Sequence, residues 1–176
     1  HPLLRGRHAQ TIYPAYAPHR SPAAPFSSTP LILVDGDQVI VHEDTLLVDA
    51  EPPTQIAILL HGLTGSANSP YIMRLWQKLR ERGFHVARVD LRGHGAARGL
   101  AKYPGHAGRS DDVHAVVEYL LHKYPEATCQ LFGVSLSGNI TLKLLGEMSQ
   151  RDDPLLPRVA SAVVVSPPID LVVSAR

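Results

Sequence analysis

Ser135 stands in the run Gly133-Val134-Ser135-Leu136-Ser137-Gly138, between the β-prone segment from Cys129 to Val134 and a helix-prone segment that opens at Leu136. A serine on a sharp strand-to-helix turn, with small residues two positions to either side, presents its hydroxyl as a nucleophile. Acyl transfer by serine needs that hydroxyl, a base to take its proton, and amide donors for the oxyanion that forms on the substrate. The Leu136 amide, at the helix entry and in line with the helix dipole, is one candidate donor. A second is the Leu63 amide in His61-Gly62-Leu63-Thr64-Gly65-Ser66, a turn directly after an earlier strand. His61 and Gly62 shape that turn and are the candidate substrate-binding residues. Ser137 occupies a place where glycine is usual, so its hydroxyl and Cβ are expected to strain the turn. The base is what the sequence withholds, because all ten histidines lie at or before His122.

Other residue patterns read as structural. His94 and His106 sit in loops near strand ends, where hydrogen bonding to the backbone is the expected role. Asp170 follows the last strand and reads as a turn or cap residue. His114, Glu118 and His122, spaced four apart on one helical face, read as a solvated ladder, since no tighter ligand cluster accompanies them. No metal site is therefore expected. Gly93-His94-Gly95-Ala96-Ala97-Arg98 fails the dinucleotide fingerprint at its last position, and no phosphate loop of the Gly-Lys-Ser/Thr type occurs, so no cofactor is expected either.

The elements that must position Ser135 follow from periodicity. Six prolines between His1 and Pro30 mark residues 1–30 as an extended arm, and residues 31–176 as the folded part. Leu31 to Val34 and Gln38 to His42 flank Asp35-Gly36-Asp37 as a hairpin, and Gln55 to Leu60 is a third strand. Ile72, Leu75, Trp76 and Leu79 recur at helical spacing between Pro70 and Arg82, and Gly83 stops that helix. Phe84 to Val89 is a strand leading into a glycine-rich loop from Leu91 to Gly99. Ser110-Asp111-Asp112 then opens a helix with side chains suited to capping, and Val113, Val116, Val117, Leu120, Leu121 and Tyr124 form its apolar face. A strand at Cys129 to Val134, a helix from Leu136 to about Met148 and a strand at Ala160 to Val165 complete an alternation characteristic of a mostly parallel α/β sheet with flanking helices. Ala162-Val163-Val164-Val165, apolar at every position, reads as an inner strand covered on both faces.

Composition narrows the function classes. With 17 basic and 16 acidic side chains among 176 residues, no charge excess directs the chain to nucleic acid or an anionic membrane. No apolar run is long enough for an integral membrane segment. One cysteine, Cys129, excludes an internal disulfide framework and fits a reducing compartment, so the expected location is cytoplasmic.

These segments together resemble the α/β-hydrolase superfamily, and within it the YheT-type group related to abhydrolase-domain lipid hydrolases. The resemblance is carried by Arg5-Gly6-Arg7-His8-Ala9-Gln10-Thr11-Ile12-Tyr13-Pro14, by His61 to Ser66, by Ser69-Pro70-Tyr71, by Leu91-Arg92-Gly93-His94-Gly95, by His106-Ala107-Gly108 with Asp111-Asp112, and by Ser166-Pro167-Pro168 with Asp170. It implies a carboxylic ester hydrolase acting on short-chain or lipid acyl esters, with Ser135 as nucleophile and the Leu63 and Leu136 amides as oxyanion hole. It also implies a triad in the order serine, acid, histidine, each after a later strand. The sequence therefore resembles the N-terminal part of such an enzyme, with the C-terminal strands and two triad members expected beyond Arg176, and alone it is expected to be nearly inactive. A non-catalytic binding module and an acyltransferase using the same serine are the alternatives. An apolar last strand left bare also carries an expectation of edge-strand self-association.

Overall fold

The structure, a computed structural model, describes residues 26–46 and 50–174. Residues 1–25, which hold most of the expected arm and the Arg5 to Pro14 segment, lie outside the described residues. Six strands form one sheet in the order β1-β2-β4-β3-β5-β6. They are β1 (Phe26–Ile32), β2 (Gln38–Asp44), β3 (Gln55–Leu60), β4 (His85–Asp90), β5 (Thr128–Val134) and β6 (Val159–Val165). The hairpin β1-β2 pairs antiparallel, β2 pairs antiparallel with β4, and β4, β3, β5 and β6 run parallel. This is the mostly parallel α/β architecture that the alternation predicts. β1 begins at Phe26, so residues 26–30 of the expected arm belong to the sheet.

Helix α1 (Pro70–Arg80) covers one face of the sheet, and α2 (Ser110–Lys123) and α3 (Leu136–Gln150) cover the other. The alternation of side chains along β3 divides the core accordingly. Ile56, Ile58 and Leu60 pack with Val113, Val116, Val117, Leu120, Ile140 and Leu144, whereas Ala57 and Leu59 pack with Ile72, Trp76 and Leu79. Cys129 is buried within the first group, and burial pushes its thiol up to about 11. The chain leaves β3 for β4 on one side and returns to β5 on the other. The carboxyl ends of β3 and β5 therefore flank the point where strand order reverses, the place where open α/β sheets bind ligands.

Two expectations are corrected. β6 is not an inner strand among the described residues. It pairs only with β5, and Val163 and Val165 are 46% and 51% exposed. They share a face with their register partners Phe132 and Val134, and α1 lies over β3 and β4 without reaching β6. Nor do Ser110, Asp111 and Asp112 cap α2 through their side chains. Arg109 is the N-cap residue and no side-chain cap bond forms. Asp112 instead accepts two hydrogen bonds from Arg92, at 2.9 and 2.7 Å, and Ser110 donates to Glu147 at 2.5 Å.

Arg92 is itself buried, and it also binds Asp35 at 2.7 Å and Asp37. That one guanidinium ties the β1-β2 turn to the first turn of α2. At the other end of the sheet Glu43, 1% exposed, accepts from Tyr119 at 3.1 Å, Lys123 at 2.8 Å and Tyr124 at 3.2 Å, with His85 at 3.4 Å. Burial pushes the Glu43 carboxyl up, but the bonds from His85, Lys123 and Tyr119 and the Lys123 charge outweigh it and bring it down to about 2, against an ordinary 4.5. A carboxyl held this low contributes its stabilisation fully above pH 4.5 and loses it as pH falls toward 2, an effect of about 3 kcal/mol. Urea unfolding of the wild type should therefore steepen in its pH dependence below pH 4.5, and Glu43→Gln should flatten that slope. Equal slopes in the two proteins would remove Glu43 as the cause.

Candidate active site

The turn between β5 and α3 places Ser135 at φ +52°, ψ −117°, a backbone region that L-residues rarely occupy. Such a conformation costs about 1–3 kcal/mol and persists only where its surroundings hold it. Here the Ser135 N–H donates to the Val165 carbonyl at 2.8 Å, and its own carbonyl accepts from the Gly138 amide at 2.9 Å. The flanking glycines are required by space. A Cβ on Gly133 would fall 2.6 Å from the Ser137 carbonyl oxygen, and one on Gly138 would fall 3.1 Å from Pro167 Cβ. Asn139 donates to the Pro168 carbonyl at 3.0 Å, which fixes the start of α3 against the Ser166-Pro167-Pro168 turn after β6.

The register of β3 on β5 sets Leu60 opposite Gly133, so the residues that follow each strand emerge side by side. A Cβ on Gly62 would lie 3.2 Å from Ser135 Cβ and 3.3 Å from the Val134 carbonyl oxygen. The loop is fixed internally as well. Gly62 N–H donates to the Tyr71 hydroxyl at 2.9 Å, Gly65 N–H donates to the Gly62 carbonyl at 3.0 Å, and Thr64 sits at φ +62°. Leu63, at the tip, is 62% exposed. Among the described residues the Leu63 and Leu136 amides donate to no protein group, which leaves both for a ligand.

His61 is buried, and both ring nitrogens are engaged with backbone. The Leu91 N–H donates to Nε2 at 3.2 Å, so Nδ1 carries the proton and donates to the Gly62 carbonyl at 2.7 Å. Burial holds the pKa of this imidazole below its ordinary value. Of the two candidate substrate-binding residues, His61 thus braces the loop from beneath, and Gly62 provides the close approach to Ser135.

A buried carboxylate joins this loop to the next one. Asp90, at the end of β4, accepts from Ala67 N–H at 2.6 Å, Ala96 N–H at 2.7 Å and His42 Nε2 at 3.0 Å. Burial pushes its pKa up, and these three hydrogen bonds more than offset that, leaving it below the ordinary value. Gly95, at φ +51°, passes so close that a Cβ would fall 2.1 Å from Asp90 Oδ1.

The site thus combines a strained serine between two glycines with two open amides at the strand-order reversal. The family model described as serine aminopeptidase, S33 (Hydrolase_4) matches residues 51–174. The chain belongs to this α/β-hydrolase family. Its relatives include the embryogenesis-associated protein EMB8 of Picea glauca, 28% identical over 98% of this chain and 38% of that protein. YheT of Escherichia coli is 29% identical over 93% of this chain and 46% of that protein, and the monoacylglycerol lipase of Saccharomyces cerevisiae is 30% identical over 72% and 27%. The chain thus spans less than half the length of these relatives. Among solved structures, the Pyrococcus furiosus esterase Pf2001 superposes with a TM-score of 0.68 at 24% identity, over 84% of this chain and 53% of that one. XC6422 from Xanthomonas campestris, an α/β serine hydrolase without lid, gives 0.66 at 22% identity, over 87% and 66%.

Within this α/β-hydrolase the remaining candidates have structural partners. His94 donates from Nδ1 to the Arg92 carbonyl at 2.9 Å, and His106 accepts the Gly108 N–H at 3.0 Å. Asp170 accepts the Val173 amide at 2.9 Å as a cap on the short helix α4 (Leu171–Ser174). His114 pairs with Asp153 at 2.8 Å, not with Glu118 or His122. Sequence reasoning missed Asp90, and it quoted Tyr71 only within the Ser69-Pro70-Tyr71 segment of the resemblance, without its bond to Gly62. An acid at the last position of a strand before a glycine-rich loop was the available signal for Asp90. The elbow itself makes a measurable prediction. Ser135→Gly should raise stability by about 1 kcal/mol in urea unfolding, because glycine accepts positive φ without the steric penalty. A loss of stability would show that the serine side chain, not the turn, is what the surroundings favour.

Proposed function

We propose that Ser135 is the acyl-accepting nucleophile of a carboxylic ester hydrolase, acting on short-chain or lipid acyl esters. The observation that supports this most is the strained Ser135 elbow held beside the unpartnered Leu63 and Leu136 amides. The Ser135 hydroxyl oxygen adds to the ester carbonyl carbon while its proton passes to a base. The carbonyl π pair moves onto oxygen, and that oxyanion accepts hydrogen bonds from the two amides at the positive end of the α3 dipole. Collapse re-forms the carbonyl, breaks the bond to the alcohol oxygen and returns the proton to the leaving alcohol. Water then releases the acid by the same steps.

No histidine follows Ser135 in the 176 residues, and the serine, acid, histidine order of the superfamily puts both partners after it. We assign the acid and base to polypeptide outside this sequence. Relatives bearing lipase names, and a chain that covers only part of each, support that reading. Removal of a triad member typically costs about four to six orders of magnitude in turnover. In a p-nitrophenyl ester assay the isolated chain should therefore stay near background, the full-length parent should turn over, and Ser135→Ala in that parent should abolish the rate. Equal rates in chain and parent would refute the division of the triad. A parent without activity that still binds esters would favour a non-catalytic module, and product formed only with an added alcohol acceptor would favour an acyltransferase.

A further inference from the structure

Ser137 takes up a position where a hydroxyl was expected only to strain the turn, yet it is fully buried and its Oγ donates to the His61 carbonyl. Among the described residues no other donor reaches that carbonyl. The bond joins the first turn of α3 to the backbone two residues before Leu63. Both of its ends are held. Thr141 Oγ1 donates to the Ser137 carbonyl at 2.7 Å, and Gly133 lies against that carbonyl so closely that a Cβ would stand 2.6 Å away. On the far side, the His61 ring is held by the Leu91 and Gly62 backbone. One hydroxyl therefore connects the element carrying the Leu136 amide with the element carrying the Leu63 amide.

We propose that Ser137 is a positioning residue, whose side chain sets the distance between the two halves of the oxyanion cradle without touching substrate. This rests on the ester-hydrolase reading for its catalytic meaning, but its geometry can be tested separately. In Ser137→Ala the His61 carbonyl loses its donor in a buried position. Hydrogen exchange on the full chain reads the consequence at Gly62 and Gly65, whose amides donate to Tyr71 and to Gly62. Their protection should fall about tenfold, whereas Ile58 in β3 and Leu144 in α3 should keep theirs. Ser137→Gly, which leaves room for a water, should show the same selective loss at about a third of the size. It also serves should the alanine variant not fold. Unchanged protection at Gly62 and Gly65, or an equal loss at Ile58 and Leu144, would overturn the proposal. In the full-length parent, capture of Ser135 by a fluorophosphonate should slow in Ser137→Ala with its pH profile unmoved, and a shifted profile would also overturn it. If the wild-type serine of that parent is not captured at all, the nucleophile reading fails, and the exchange result still decides the role of Ser137.

Discussion

The close approach of Gly62 to Ser135 is the constraint on which the site depends. Two neighbouring parallel strands end at the same level, and their continuations must pass each other at backbone distance. A Cβ at Gly62 would stand 3.2 Å from Ser135 Cβ, one at Gly133 would stand 2.6 Å from the Ser137 carbonyl oxygen in α3, and one at Gly138 would stand 3.1 Å from Pro167. In the proposed reaction, this short contact brings amides from two separate loops to the carbonyl of one bound acyl group. It follows from strand register, which the alternating core contacts of β3 on its two faces hold in place. A slip of one residue would turn Ile56, Ile58 and Leu60 toward α1 and would separate Gly62 from Ser135.

Buried charge makes the loops around this contact definite. Asp90 accepts from Ala67 and Ala96, and so joins the His61 to Ser66 loop with the Arg92 to Gly99 loop through one carboxylate. Arg92 does the same for the β1-β2 turn and α2 through Asp35, Asp37 and Asp112. Buried ion pairs are poor sources of net stability, since desolvation offsets most of the attraction. Their effect is selective. A loop that moved away from Asp90 or Arg92 would leave a charge unpaired in the interior, so alternative loop arrangements are costly. The proposed oxyanion cradle would thereby be formed before substrate arrives, which is the condition under which oriented amides lower a barrier.

Much of this was legible in the sequence. The strand and helix alternation, the position of Ser135 between β5 and α3, and the apolar face of α2 all follow from local periodicity and from glycine placement. What was not legible required partners distant in sequence. Asp112 reads as a helix cap because capping is local, whereas its true partner, Arg92, lies 20 residues away. Val163 and Val165 read as inner-strand residues because alternation cannot tell which strands flank a run of valines. His61 reads as shaping the turn after β3, but the partner that lets its ring do so, the Leu91 amide, lies 30 residues away. Ser137 was read through its steric cost, and its hydrogen bond to His61 became visible only when β3 and α3 were brought together.

The most direct measurement is a crystal structure of the phosphonate ester formed on Ser135 of the full-length parent by an organophosphorus inhibitor. The account predicts a phosphonyl oxygen accepting hydrogen bonds of about 2.7–3.1 Å from both the Leu63 and the Leu136 amides, with the Gly62 backbone unmoved. An adduct on another residue, or a phosphonyl oxygen turned away from those amides, would contradict it.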